Sequence, residues 1–190
     1  IEDKKKFVDH FSRAEATYRA NKLPEALAGF EEAAKLLPAF GDVHALIGAV
    51  RMKLGRYAEA APALRKALEI DADDAASRSN MGVCLLKQGK YDGAIVELRA
   101  AVALDPSLET ALTNLGVAFL AKGMDGAARE TLEKAKEADP ESVAAHYNLG
   151  LAYERLGRQK DAAREYKDAV QLDPEHEEAR KALDRISADK

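Results

Sequence analysis

Small and apolar residues fall along this chain at spacings of three, four and seven, the signature of helices with one buried face. Between Ala75 and Ser107 they mark Met81, Gly82 and Leu85, then, beyond Gly89, the set Ala94, Leu98 and Ala101, and the stretch closes on Asp105-Pro106. A shift of 34 residues reproduces the pattern: Gly48, Gly82, Gly116 and Gly150 form one column, and Ala26, Ala60, Ala94, Ala128 and Ala162 another. Ala33, Ala67, Ala101, Ala135 and Ala169 form a third, while Pro38, Pro106, Pro140 and Pro174 form a fourth that only Ala72 breaks. A fixed period of this length means stacked supersecondary units, each unable to bury its apolar face alone.

Each period predicts two helices. Gly82 and Ala94 are small because the two helices of a unit cross there, and Ala101 is small because the next unit packs against it. Leu64, Leu98, Leu132, Phe30 and Tyr166 are the residues that fill the space between helices. Gly55, Gly89, Gly123 and Gly157 end the first helix in a left-handed cap, where glycine carries no Cβ penalty, and Asn21 takes that place in the first unit. The Asp-Pro pairs stop the second helix, because proline disfavours helical geometry in the residue before it.

Five ungapped copies cover residues 7–40, 41–74, 75–108, 109–142 and 143–176. Residues 1–6 are a polar lead-in, and residues 177–190 carry the stripe Ala179, Ala182, Leu183 and Ile186 of an amphipathic capping helix. Three irregularities stand out. The first copy replaces the usual inner positions with Arg13 and Thr17 and runs Phe7, Phe11, Ala14 and Tyr18 instead, as an N-terminal cap or as an aromatic end to a binding groove. Arg51 and Ala72 stand where an aromatic and a proline are usual, which is expected to soften the packing near residues 70–75. In the fourth copy Asp125 replaces an aromatic, and Gly126 should make the following helix the softest of the inner ones.

The columns of Gly, Gly, Ala, Ala and Pro resemble the tetratricopeptide repeat. The resemblance implies an all-α, right-handed superhelical solenoid whose concave face, lined by the first helix of each repeat, binds peptide segments of partners. On that face the sixth positions Asn80, Asn114 and Asn148 form an asparagine ladder, similar to the one in the peptide-guiding repeats of O-linked N-acetylglucosamine transferase. An amide offers both a donor and an acceptor to an extended peptide backbone. Val83, Leu86, Val117 and Leu120 would supply apolar contacts, with Met52 and Tyr147 beside them and Phe11 and Tyr18 at one end. Lys53, Lys87 and Arg155 run along position thirteen. Outer-helix charges such as Glu97, Arg99, Arg129, Glu130 and Lys134 would face solvent. The repeats that clamp a C-terminal carboxylate need Asn at position nine and Lys at position five, which this chain lacks.

Composition narrows the function further. Charged residues make up 33% of the 190, with Lys+Arg 29 against Asp+Glu 33 and a net charge of −4, so the surface is of mixed sign, which argues against nucleic acid as a partner, since phosphate binding wants a basic face. Cys84 is the one cysteine, which excludes a disulfide framework and a Cys-based metal site, and its column of small residues reads as buried. His10, His44 and His146 share the fourth position of their repeats, too far apart in a stack to converge on one metal, and His176 lies in a loop. Every glycine serves the repeat, so no phosphate-binding loop remains. No catalytic residue, metal or cofactor is expected.

No run approaches the roughly 20 apolar residues of a membrane span. The chain begins at Ile1 rather than Met, which reads as a processed or trimmed product and leaves the compartment open. The expectation is a soluble, cytoplasmic chain or one peripheral to a membrane, with protein or peptide partners and homo-oligomers among them. The reading is a non-enzymatic interaction scaffold. In repeat number and polar first helix it is similar to the magnetosome-associated repeat scaffolds, which self-assemble on a vesicle surface. The alternatives are a targeting or regulatory module of a larger enzyme and a pilus or secretion assembly adaptor.

Overall fold

The computed structural model describes residues 2–188, whose regular structure is α-helix joined by short turns, with no strand among the described residues. Eleven helices follow one another: α1 (Glu2–Arg19), α2 (Leu23–Leu36), α3 (Gly41–Lys53), α4 (Tyr57–Ile70), α5 (Ala75–Lys87), α6 (Tyr91–Leu104), α7 (Glu109–Ala121), α8 (Asp125–Ala138), α9 (Val143–Arg155), α10 (Gln159–Leu172) and α11 (Glu177–Ala188). The lead-in from Glu2 onward is therefore part of α1; Ile1, Asp189 and Lys190 lie outside the described residues. No described helix is long and apolar enough to cross a membrane.

The backbone terminations follow from the column residues. Gly55, Gly89, Gly123 and Gly157 take φ of 71–74°, and Asn21 takes 57°. Around each, two bonds close the helix. At Gly55 they are Gly55 N–H to the Met52 carbonyl at 2.9 Å and Arg56 N–H to the Arg51 carbonyl at 2.8 Å, and the same pair recurs at the other four sites. Asp71, Asp139 and Asp173 end the second helices in extended geometry. At all four Asp turns the aspartate carboxylate accepts the N–H two residues on at 3.0 Å. Asp71 (φ −129°, ψ 99°) precedes Ala72, yet it matches Asp139 and Asp173 before their prolines. The aspartate shapes this turn with or without the proline.

The chain divides into two compact units, residues 1–100 and 101–190, with the division inside α6. In the first unit α1 pairs with α2 and α3 with α4, and successive pairs join through α2–α3 and α4–α5. Its core gathers Phe7, Ala14, Leu27, Phe30, Val43, Ile47 and Val50, followed by Ala60, Leu64, Met81 and Cys84. In the second unit α7 pairs with α8 and α9 with α10; α8 meets α9, and α11 lies on α10. Leu112, Ala135 and Ala145 form a buried cluster there, and Leu132, Leu149 and Tyr166 are buried as well. Alternating helix pairs in both units are the all-α solenoid architecture that the period implies.

The helix crossing is specific in its partners. A Cβ on Gly48 would lie 2.6 Å from Leu64, on Gly82 2.4 Å from Leu98, on Gly116 2.4 Å from Leu132 and on Gly150 2.5 Å from Tyr166. The column glycine thus exists to admit the large residue of the second helix. In the first repeat the roles move. Ala14 occupies the glycine column, and Gly29 on α2 becomes the small partner, where a Cβ would meet Ala14 Cβ at 2.8 Å.

Candidate protein-interaction site

The expected groove residues lie on the first helices of the repeats and fall in both units. In the first unit Asn80, Val83 and Leu86 on α5 and Met52 on α3 are half-buried, with Lys53 and Lys87 exposed beside them. In the second, Asn114 and Val117 on α7 and Tyr147 and Asn148 on α9 are half-buried, and α7 touches α9 directly. Leu120 differs from the expectation: only 6% of it is exposed, and the Arg155 guanidinium donates to its carbonyl, so it offers a ligand little surface.

Two of the three asparagines are oriented by their own helices. Asn114 Nδ2 donates to the Thr110 carbonyl at 2.7 Å and Asn148 Nδ2 to the Ala144 carbonyl at 2.8 Å. Each amide keeps its carbonyl oxygen and a second N–H for another partner. The position-thirteen cations fold back onto preceding repeats. Lys53 Nζ sits 4.5 Å from the Tyr18 ring centre, Lys87 Nζ 6.0 Å from Tyr57, and Arg155 pairs with Asp125 at 3.5 Å. Phe11 stacks on Phe7 at 5.5 Å and meets Phe30 and Phe40 edge-on at 5.6 and 5.8 Å. The stripe is thus an aromatic cluster in which Phe11 and Tyr18 stay half-buried.

Tyr147 lies 5.9 Å from the Tyr166 ring and 5.0 Å from His176, and burial raises its phenol pKa. Tyr166 donates to Glu154 at 2.8 Å, and Arg185 of α11 holds the same carboxylate at 2.7 Å, which pins the capping helix down. Burial, followed by the bond to Glu154, raises the Tyr166 pKa well above its ordinary value. Cys84 is fully buried, and burial pushes its thiol up to about 11, the behaviour of an inert core thiol.

A second set of sites lies between a second helix and the repeat that follows it; the period alone did not reveal these. The fourth-position side chain reaches back to the carbonyl six residues earlier. His44 Nε2 donates to Pro38 at 2.8 Å, Arg78 Nε to Ala72 at 3.0 Å and His146 Nε2 to Pro140 at 3.0 Å. That bond satisfies a turn carbonyl at His44, Arg78 and His146. The eleventh position bonds the preceding second helix: Arg51 to Glu31 at 2.8 Å and Tyr153 to Glu133 at 2.7 Å. Arg51 also donates to the Glu59 carbonyl at 2.9 Å. Arg51, one of the two residues expected to soften the packing near residues 70–75, is itself a tie between three helices.

Position 23 completes the set. Glu97 pairs with Arg78 at 3.2 Å, so it is half-buried rather than simply solvated as expected, and Arg129 likewise lies within 3.2 Å of Glu130 and 3.8 Å of Glu133. Glu165 is fully buried, with His146 Nδ1 at 2.8 Å, Lys136 Nζ at 3.0 Å and Arg164 Nε at 3.6 Å. Ligand atoms of His146, Glu165 and Asp168 lie within 4.8 Å of one another, the spacing of a metal site. The Lys136 ammonium already supplies Glu165 with its cation, and a metal would have to displace it. The cluster is an ion-pair network that locks α8, α9 and α10 together. A pairing of positions 4 and 23, visible as Arg78/Glu97 and His146/Glu165, was the signal for it.

Sequence profiles described as tetratricopeptide repeat match residues 51–115 and, with a second profile, residues 11–75 and 113–177. This chain belongs to the tetratricopeptide repeat family. No curated protein sequence matches it. Solved structures do. One is MamA, residues 41 to the end, from Desulfovibrio magneticus RS-1, at 25% identity and a TM-score of 0.79, covering 90% of this chain and 97% of that one. Another is YrrB, described as a tetratricopeptide repeat protein with an unusual peptide-binding site, at 25% identity and 0.75, covering 96% and 94%. PilF of Pseudomonas aeruginosa reaches 0.85 at 19% identity, covering 99% and 86%, a likeness of fold alone. The fold is that of a protein-interaction scaffold.

Proposed function

We propose that this chain is a non-enzymatic scaffold that receives extended peptide segments on the faces of its first helices. The observation that carries the reading is the pair Asn114 and Asn148 on the adjoining helices α7 and α9. Each amide is held by a bond to its own helix, at 2.7 and 2.8 Å, with Val117 and Leu151 half-buried beside it. A pre-oriented amide meets a peptide backbone without first losing side-chain freedom. In the first unit Asn80, Val83 and Leu86 present the same combination on α5. YrrB, with its peptide-binding site, supports peptide recognition. The likeness to MamA favours a scaffold of the magnetosome-associated kind over an enzyme's regulatory module, and assembly with its own copies is part of the same proposal.

Peptides selected from a displayed random library against the whole protein provide the test. Each lost amide hydrogen bond costs about 0.5–1.5 kcal/mol, so Asn114→Ala with Asn148→Ala should weaken a selected peptide about tenfold. Lys134→Glu, exposed on the outer helix α8, should leave affinity unchanged. Loss in the Lys134 variant alone would move the site to the outer surface.

A further inference from the structure

We infer that the crevice between α2, α3 and α4 is a second binding site, which takes an acidic side chain of a partner protein flanked by an apolar one. The crevice has a volume of about 450 Å³. Ala34, Ile47, Pro62 and Ala63 line it, and Lys35, His44, Arg51 and Lys66 stand among them. Glu31 is its one acid, and Arg51 already holds that carboxylate at 2.8 Å.

The molecule itself shows what such a crevice holds. At the equivalent junction of the second unit, 102 residues on, the Glu165 carboxylate is buried between His146 Nδ1, Lys136 Nζ and Arg164 Nε. At the α4–α5 junction the position-23 carboxylate, Glu97, pairs with Arg78. His44 has the same pose as His146, since Nε2 of each donates to the carbonyl six residues back. The residue that should answer it, at position 23, is Ala63. The other ring nitrogen of His44 therefore has no partner among the described residues, and the cations around it face a site without its carboxylate.

Lys35 and Lys66 are paired only at the surface, with Glu32 at 2.6 Å and Glu69 at 3.5 Å, contacts that exchange readily with water. A glutamate or aspartate from a partner supplies the missing charge, and its apolar neighbour covers Ile47 and Pro62. Charge and shape both select this occupant: a cationic rim around an apolar floor.

Fluorescence anisotropy with the intact protein tests it. The probe is a fluorescein-labelled, end-capped peptide with a Leu-Glu-Glu-Leu centre, compared with its Leu-Gln-Gln-Leu isostere. The Glu probe should bind saturably and the Gln probe roughly tenfold more weakly, as expected for loss of a charge-assisted hydrogen bond. Ala63→Glu places a carboxylate of the protein's own where Glu165 has one and should abolish binding. Lys35→Glu and Lys66→Glu, both at exposed positions, should each weaken it several-fold with the circular dichroism unchanged, so the reading survives a misfolded Ala63 variant. Asn114→Ala with Asn148→Ala should leave the probe bound. Acetate at matched ionic strength should fail to displace it; ready displacement would mean a small carboxylate ligand and overturn peptide recognition. Failure of the Glu probe to bind, equal affinity for both probes, or insensitivity to both lysine reversals would overturn the site.

Discussion

Gly116→Ala tests the helix crossing most directly. The new Cβ would lie 2.4 Å from Leu132 Cγ and 2.7 and 2.9 Å from its two Cδ atoms. Carbon atoms rest about 3.5–4.0 Å apart, so the pair must separate by about 1 Å, and Leu132, fully buried, has no solvent to swing into. Two effects oppose one another. Alanine is favoured over glycine in a helix by about 0.8–1.0 kcal/mol, while overpacking costs about 1–3 kcal/mol. The net expectation is a loss of about 0–2 kcal/mol for alanine, and more for Gly116→Leu, whose added carbons enter the same space. Gly126→Ala is the control: it lies in the first turn of α8 with nothing within 4 Å of its Cβ position, and should gain up to about 0.5 kcal/mol from the backbone alone. Urea unfolding followed by far-ultraviolet circular dichroism measures both. The decisive variant adds Leu132→Ala, which alone should cost about 2–5 kcal/mol. In the double variant the methyl introduced on α7 occupies vacated space, so the combined loss should fall short of the sum by at least about 0.5 kcal/mol. If Gly116→Ala stabilises as much as Gly126→Ala, and the double variant is additive, the two helices do not meet there.

Two further outcomes follow from buried titratable groups. Cys84, with its thiol pushed up to about 11, should resist an alkylating reagent at pH 8 and react fully once urea unfolds the first unit; prompt labelling of the native protein would show the thiol exposed. Tyr153 is pushed up to about 12 by burial and then by its bond to Glu133. Because the folded value is raised, the stability linked to it is present below the ordinary phenol pKa of about 10 and is lost as pH climbs from there to about 12. Tyr153→Phe should make the alkaline fall in stability shallower over that window, and identical profiles for the two proteins would refute the assignment.

The period of 34, the left-handed caps and the crossing glycines were legible in the sequence because each is a demand of the backbone. A positive φ of 71–74° selects glycine or asparagine whatever surrounds it, and a 2.4 Å approach admits no Cβ. The side-chain chemistry was less legible, because a period compares residues down a column while the contacts run across columns. Lys53, Lys87 and Arg155 read as groove cations in their own column, yet each reaches a residue of the preceding repeat. Arg51 read as a defect, since its partners Glu31 and the Glu59 carbonyl lie on other helices. The fourth column shows the consequence most clearly. His44 and His146 make the same bond to the same turn carbonyl, and nothing along their column separates them. Position 23 separates them: Glu165 buries a carboxylate against one ring, and Ala63 leaves the other without one. Around that position Lys136 and Arg164 give way to Ala34 and Pro62, and Glu137 and Asp168 to Lys35 and Lys66, so side-chain changes on the flanking helices turn a locked junction into an open cationic crevice while the backbone repeat stays the same.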